Sequence, residues 1–264
     1  MSEFIGQLKL LDKINNYSIQ TLPKTLLFLG PKGCGKHQIV NYIKNKFELD
    51  LVEIDDKVDT DILSEFSHKT IKTLYLIDLD KFTEKQQNQF LKFIEEPSDT
   101  VYILLIAESE IGILPTILNR CIKHHFEPYT IEQLKQIIKN DIDPRAFEIF
   151  KTPGKLQNLT TADFINILEL AEKIVYKVQQ ATFANTMSIN TKLNYKDLYN
   201  KIDPELLLDA VEHTAFEDFK NNKNDLSFTI FKVTNQFKQR LTQKNLIKET
   251  LILNYLTTLW EATH

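Results

Sequence analysis

Cysteine is scarce. Cys34 and Cys121 are the only two in 264 residues, which excludes a disulfide framework and suits a reducing cytoplasm. Arginine is scarcer than lysine throughout, with Arg120, Arg145 and Arg240 the only three. The planar guanidinium fork does work that an ammonium cannot, so those three positions draw attention. No apolar run approaches the roughly 18 residues of a membrane span. The start, Met1-Ser2-Glu3-Phe4, has no basic stretch followed by an apolar core, so neither a membrane anchor nor a secretory signal is expected. An excess of positive charge is also lacking. The formal net charge is −4, whereas a chain that grips DNA unaided is more often basic. Nucleic-acid contact is therefore expected only through a local patch or a larger assembly. The hydrophobic fraction of 42% and charged fraction of 26% are those of an ordinary globular protein, and the length allows roughly one to three domains.

One more absence falls inside a motif. Residues Gly30-Pro31-Lys32-Gly33-Cys34-Gly35-Lys36-His37 follow the phosphate-loop pattern, in which two glycines separated by four residues precede Lys and then Ser or Thr. The last position here is His37. Gly30, Gly33 and Gly35 let backbone N–H groups turn inward on an anion, and Lys36 can reach the β- and γ-phosphates. The Ser or Thr hydroxyl that ordinarily holds Mg²⁺ is missing. The segment reads as a phosphate cradle and a doubtful catalyst.

The surroundings are those the motif requires. Thr25–Gly30 reads as a strand, and 37–47 has helical spacing through Ile39, Val40, Ile43 and Phe47. Further apolar strands are expected at 49–54, 73–78, 101–107 and 122–126. Helices are expected at 59–68 and 83–95, the latter opened by a Thr83/Gln86 capping box. Uniformly apolar strands separated by helices imply an α/β fold with a parallel sheet covered on both faces. After Pro128 the pattern changes. Thr130 and Gln133 form a second capping box before a helix at 131–139, and Asp143-Pro144 opens a short helix. The stretch Lys151-Thr152-Pro153-Gly154-Lys155 breaks the chain. Helices follow at about 161–182, 204–221, 226–242 and 245–262. The last carries Leu251, Leu253, Tyr255, Leu256 and Trp260 on several sides, which points to a bundle or an oligomer surface.

Asp78 closes an apolar strand and is the residue type that orders Mg²⁺ and its water in phosphate-loop proteins. Many that hydrolyse ATP place a glutamate directly after it. Here Leu79 follows, and then Asp80. Leucine can neither take a proton nor position water, so two separate catalytic parts are absent. The pairs Cys34-x-x-His37 and Cys121-x-x-His124 have zinc-like spacing, but a parallel sheet places them at opposite strand ends, about 17 Å apart, and no zinc site is expected. Lys232, Lys238, Arg240, Lys244 and Lys248 form a basic stretch whose simplest reading is a solvated helix face, with a phosphate-facing role no better supported.

Taken together, Ile5-Gly6-Gln7, the loop Gly30–Lys36, Leu76-Ile77-Asp78, Phe90-Leu91-Lys92-Phe93-Ile94-Glu95-Glu96-Pro97, Leu114-Pro115-Thr116-Ile117, Asn119-Arg120-Cys121 and Thr152-Pro153-Gly154-Lys155 resemble the clamp-loader subunits of the AAA+ ATPases. Within these the chain is most similar to the delta-prime type of bacterial DNA polymerase III. The resemblance covers about the first 155 residues, and the C-terminal helices fit that family's collar domain in class and length. It implies a P-loop AAA+ core at 1–127, a helical lid at 128–160 and a helical collar for oligomerisation at 161–264. It also implies that Arg120 is an arginine finger reaching a neighbour's ATP site.

The departures are specific. Asn119 stands where the family has Ser. Ala107-Glu108 occupies the polar sensor position, and Gly154-Lys155 the place of the second sensor arginine. No cysteine lies between Lys36 and Asp78, so the four-cysteine zinc module of many relatives is absent. The resulting expectation is a hydrolysis-deficient subunit of a sliding-clamp loader within a DNA polymerase III assembly. ATP or ADP binding would be weak, through Gly30, Gly33, Gly35, Lys36 and His37, with Mg²⁺ at Asp78. Its partners would be sister AAA+ subunits, a sliding clamp and primed DNA through the assembly, and no membrane. An active motor subunit, or an AAA+ helicase loader or adaptor, remains the alternative.

Overall fold

Five short apolar segments become strands: β1 (Thr25–Leu29), β2 (Asp50–Ile54), β3 (Thr73–Asp78), β4 (Val101–Ala107) and β5 (Ile122–His125). The structure is a computed structural model that describes residues 4–54, 71–180, 202–241 and 248–263. All four neighbouring pairs are parallel, in the order β2-β3-β4-β1-β5. This is the α/β, P-loop sheet the apolar runs imply.

Alternation along the strands builds two cores. Leu26, Phe28, Leu74, Leu76, Tyr102, Leu104 and Ile106 face one side. There they meet Leu10, Leu11 and Ile14 of α1 (Leu8–Asn15) and Ile39, Val40 and Ile43 of α2 (Lys36–Phe47). Leu27, Leu29, Tyr75, Ile77, Ile103 and Leu105 face the other, against Phe90, Phe93, Ile94 and Ile117. Each fully buried Leu, Ile or Phe contributes about 1.5–3 kcal/mol relative to exposure. β1, β3 and β4, buried on both faces, therefore anchor the sheet.

The helix expected at 83–95 is two: α3 (Glu84–Gln89) and α4 (Leu91–Glu95). The Thr83/Gln86 capping box forms as expected. The interruption is at Phe90, whose N–H bonds to the Gln87 carbonyl in a tighter turn. The Gln87 side chain is buried and spans to Phe82 O, Gly112 O and Leu114 N. α5 (Pro115–Leu118) precedes β5, and α6 (Ile131–Ile137) opens with the expected Thr130/Gln133 exchange. The short helix α7 begins at Ala146 rather than at Pro144 and ends at Ile149, because Asp143 accepts from Arg145 N–H in a preceding turn. The expected chain break at 151–155 contains a helical turn, α8 (Pro153–Leu156). The helix expected at 59–68 lies outside the described residues.

The chain forms two compact units, residues 1–137 with 152–154, and residues 138–151 with 155–264. The second is helical: α9 (Thr161–Gln179), α10 (Pro204–Asn222), α11 (Asp225–Leu241) and α12 (Lys248–Thr263). α9 starts at a Thr160/Asp163 capping box, and α10 at Asp203 with Pro204 as its first helical residue. Buried Phe164, Ile167, Leu170, Ala171 and Ile174 recur on one face of α9 at helical spacing. Consecutive long helices pack on one another. Leu251, Tyr255, Leu256 and Leu259 of α12 are buried, so the apolar sides of this helix serve a bundle. Among the described residues no helix is long and apolar enough to cross a membrane.

Candidate functional site

β1 delivers the chain to the phosphate loop, and β4 braces it: Gly30 N–H donates to the Ala107 carbonyl at 3.1 Å. Gly33 and Gly35 have φ of +77° and +104°, a region costly to side chains, and Gly35 caps α2. Backbone N–H groups at a glycine-rich helix start are the elements of an anion cradle. The Lys36 ammonium is turned back onto the Gly30 and Pro31 carbonyls of its own loop. His37 lies exposed on the first turn of α2.

Several elements of the first unit hold this loop from outside. Tyr129 Oη donates to the Cys34 carbonyl at 2.8 Å, Thr152 Oγ1 to the Lys32 carbonyl at 3.0 Å, and Gly154 N–H to the Gly33 carbonyl at 2.9 Å. A Cβ on Gly154 would lie 2.6 Å from the Gly33 Cα, so two glycine backbones are in direct contact. Gly6, at φ +80°, faces the Tyr129 ring, and Gln7 exchanges two hydrogen bonds with the Glu127 backbone. The Ile5-Gly6-Gln7 and Thr152-Pro153-Gly154 segments thus both meet the surroundings of the loop.

Asp78, at the end of β3, pairs with Lys81 at 3.5 Å. The next residue, Leu79, is 1% exposed and packs in the core with Phe82, Phe90 and Ile113. This position has turned away from the loop as well as lacking a carboxylate. Asp80 is the acidic group that returns. It is half-buried and accepts the Glu108 N–H at 2.8 Å. Burial pushes its carboxyl up to about 6, Asp78 and Glu108 add to the rise, and the Glu108 amide and Lys36 hold it partly back. Lys36, Asp78, Asp80 and Glu108 therefore share one electrostatic neighbourhood at the C-terminal ends of β1, β3 and β4.

These residues fit a phosphate better than its metal. The backbone cradle is present, but Mg²⁺ prefers oxygen ligands, and the loop supplies an imidazole where a hydroxyl is needed. The zinc-spaced pairs are also separated. Leu26 is in register with Ile122 and Phe28 with His124, which leaves Cys34 beyond the C-terminal end of β1 and Cys121 before the N-terminal end of β5. Burial raises both thiols, that of Cys121 to about 12, so neither readily gives the thiolate that metals bind. Among the described residues no group of three or more His, Cys, Asp or Glu side chains is gathered to hold a metal ion.

Arg120 stands at the other end of the sheet, just before β5. Its Nη1 donates to the Thr116 carbonyl at 2.8 Å, and its Nη2 lies 2.6 Å from Glu95 Oε1. The side chain is 38% exposed. Its own phosphate loop is about a strand length away, roughly 17 Å, so it cannot serve that loop. Of the other arginines, Arg145 is clasped by both oxygens of Asp143, and the side chain of Arg240 lies outside the described residues. In the basic stretch, Lys238 turns inward to Asp209 and Glu212 rather than lying on a solvated face. Lys232 lies over the Phe228 ring, and the side chains of Lys244 and Lys248 are outside the described residues.

Against known proteins, a family model described as "DNA polymerase III, delta subunit" matches residues 52–130. The "DNA polymerase III subunit delta'" of Bacillus subtilis is 33% identical over 103 residues, which is 38% of this chain and 28% of that one. The "Probable replication factor C subunit 5" of Dictyostelium discoideum is 25% identical over 230 residues, 78% of this chain and 64% of the relative. The "DNA polymerase III subunit tau" of Escherichia coli is 24% identical over 190 residues, 56% of this chain and 30% of the relative. The chain thus spans less than two thirds of the length of each of these relatives. The matches support the resemblance to AAA+ clamp-loader subunits of the delta-prime type.

Proposed function

We propose that this chain is a delta-prime-like subunit of a DNA polymerase sliding-clamp loader. It would bind nucleotide weakly or not at all and supply Arg120 in trans to the ATP site of an adjacent AAA+ subunit. The observation that carries this reading is the separation within one sheet: the phosphate loop lies at the C-terminal end of β1, and the exposed Arg120 before the N-terminal end of β5. A guanidinium so far from its own loop can act on a nucleotide only if another subunit brings one. Aimed at a γ-phosphate, it stabilises charge that develops during transfer, and hydrolysis then depends on assembly. The division into a core at 1–127, a lid at 128–160 and a collar at 161–264 belongs to this proposal. So do the partners: sister AAA+ subunits, the ring clamp, and primed DNA held by the assembly.

The chain's own loop is read as a structural post. His37 in place of the hydroxyl and Leu79 in the core both argue against hydrolysis. The motor-subunit alternative rests on Asp80, which is near Lys36 but already accepts the Glu108 amide.

The test is reconstitution with sister subunits recovered from the native host. Arg120→Ala is expected to leave the fold and assembly intact. It should slow turnover at the one site it serves by on the order of 10³-fold, measured as clamp- and DNA-stimulated phosphate release. Unchanged turnover overturns the finger assignment. Recovery of a helicase instead of a clamp and AAA+ subunits moves the function to a helicase loader.

A further inference from the structure

The two most distinctive sequence segments, Glu95-Glu96-Pro97 and Asn119-Arg120-Cys121, meet in a single ion pair between Glu95 and Arg120. The elements around them explain why. α4 buries Phe93 and Ile94 in the core and ends at Glu95, leaving this carboxylate at the surface. α5 buries Ile117, and Arg120 follows two residues after its end. α4 lies against α5, so the end of one helix faces the end of the other.

The Arg120 side chain folds back over α5. One terminal nitrogen donates to the Thr116 carbonyl near the end of this helix, and the other meets Glu95. A guanidinium has five N–H donors in a rigid fork. Glu95 and Thr116 can be served by one N–H from each terminal nitrogen, and the rest of the fork remains for an anion arriving from the exposed side. A carboxylate and a phosphate can thus be held together, so the pair need not break when a neighbour's nucleotide arrives.

We propose that Glu95 is the positioning residue of Arg120. With the Thr116 carbonyl it fixes a long, otherwise mobile side chain in one orientation at the subunit edge before the neighbouring phosphate is met. This inference rests on the reading of Arg120 as a finger in trans. The physical reason for such a residue is preorganisation. A charge aimed in advance needs no reorganisation at the moment of reaction, and small misplacements of catalytic groups cost large factors in rate. An exposed ion pair contributes little to folding, so removing the Glu95 carboxylate should leave the fold intact and show itself in the rate.

The experiment uses the full assembled complex and measures ATP turnover against ATP concentration for wild type, Arg120→Ala, Glu95→Ala, Glu95→Gln and the Arg120→Ala/Glu95→Ala double variant. Thermal melting and size-exclusion elution are followed for each. Glu95→Ala is expected to lower kcat on the order of tenfold and leave KM for ATP unchanged, because the neighbour's own loop binds the nucleotide. Glu95→Gln keeps the shape and an acceptor oxygen and should fall between wild type and Glu95→Ala. It also serves as the test variant if alanine disturbs α4. In the Arg120→Ala background, Glu95→Ala should have no further effect, since a positioning residue has nothing left to position. Wild-type kcat in both Glu95 variants, with Arg120→Ala impaired, overturns the positioning role and leaves the finger reading standing. Faster turnover in Glu95→Ala overturns it as well, because Glu95 would then compete with the phosphate. An additive loss in the double variant overturns it too. A silent Arg120→Ala removes the finger reading itself, and this proposal with it.

Discussion

Leu79 carries more information in the structure than in the sequence. By type it says only that a carboxylate is missing after Asp78. Its place in the core with Phe82, Phe90 and Ile113 says that restoring the carboxylate would not restore the chemistry. Leu79→Glu puts an unpaired charge into an apolar cluster and removes a well-packed side chain, so it should destabilise the first unit by about 3 kcal/mol or more. His37→Thr is different. His37 is exposed at the start of α2, and the substitution should leave stability nearly unchanged. Neither variant is expected to give the isolated chain measurable ATP turnover. Denaturant titration and phosphate release check both, and robust hydrolysis by His37→Thr alone would mean that Asp80 already does the work assigned to the missing glutamate. Arg120 shows the converse limit of reading by residue type. The family resemblance proposes it as a finger, while its partner Glu95 emerges only when α4 and α5 come together.

Elements defined by local chemistry were legible in the sequence, and those defined by tertiary contact were not. The strands at 73–78 and 101–107 could be read because burial on both faces demands uninterrupted apolar residues. The caps at Thr83 and Thr130 could be read because their partners lie three positions away. The break at Phe90 could not, since it accompanies the long-range bonds of Gln87 to Gly112 and Leu114. The docking of Thr152-Pro153-Gly154 on the phosphate loop was equally hidden. In sequence, Gly154 belongs to a chain break and to one of the segments that carry the resemblance, with nothing to show what it touches. In the fold it is a close approach to Gly33 within the first turn of α8. This makes the sign of one substitution decisive. Helix propensity alone predicts that Gly154→Ala stabilises, by up to about 1 kcal/mol. The added Cβ, however, would sit 2.6 Å from the Gly33 Cα, a backbone atom with little room to yield. We expect the clash to win and the first unit to lose about 1–3 kcal/mol, read from the denaturation midpoint. A gain in stability would mean that this contact does not constrain the loop.

At the scale of the whole molecule, the chain leaves the first compact unit between Gly154 and Lys155, and the second unit takes hold at once. Lys155 bonds to Asp209 of α10 at 2.5 Å, Lys238 of α11 reaches the other oxygen of Asp209 at 2.6 Å, and Lys238 also bonds to Glu212. One carboxylate, 8% exposed, therefore ties Lys155 to two long helices of the second unit. Lys155 commits its charge to this network. Burial by itself would lower the Lys238 pKa, but Asp209 and Glu212 outweigh it and the value lies above that of an ordinary lysine. Such a shift stabilises the folded state fully below about pH 10.5, and the contribution is lost as pH rises through the folded value. Asp209→Ala takes the carboxylate from Lys155 and leaves Lys238 with Glu212 alone. It should cost on the order of 3 kcal/mol, the lower part of the range for breaking a buried pair, because both lysines keep some solvent. The variant should also show a smaller Lys238-linked fall in melting temperature above pH 10.5, since Glu212 alone then holds the value up. Replacing the four charged groups together, Lys155→Met, Asp209→Leu, Glu212→Gln and Lys238→Met, should recover much of the stability, since no unpaired charge is then left behind. If Asp209→Ala melts like wild type from neutral to alkaline pH, the network is incidental and the second unit is held by its apolar helix faces alone.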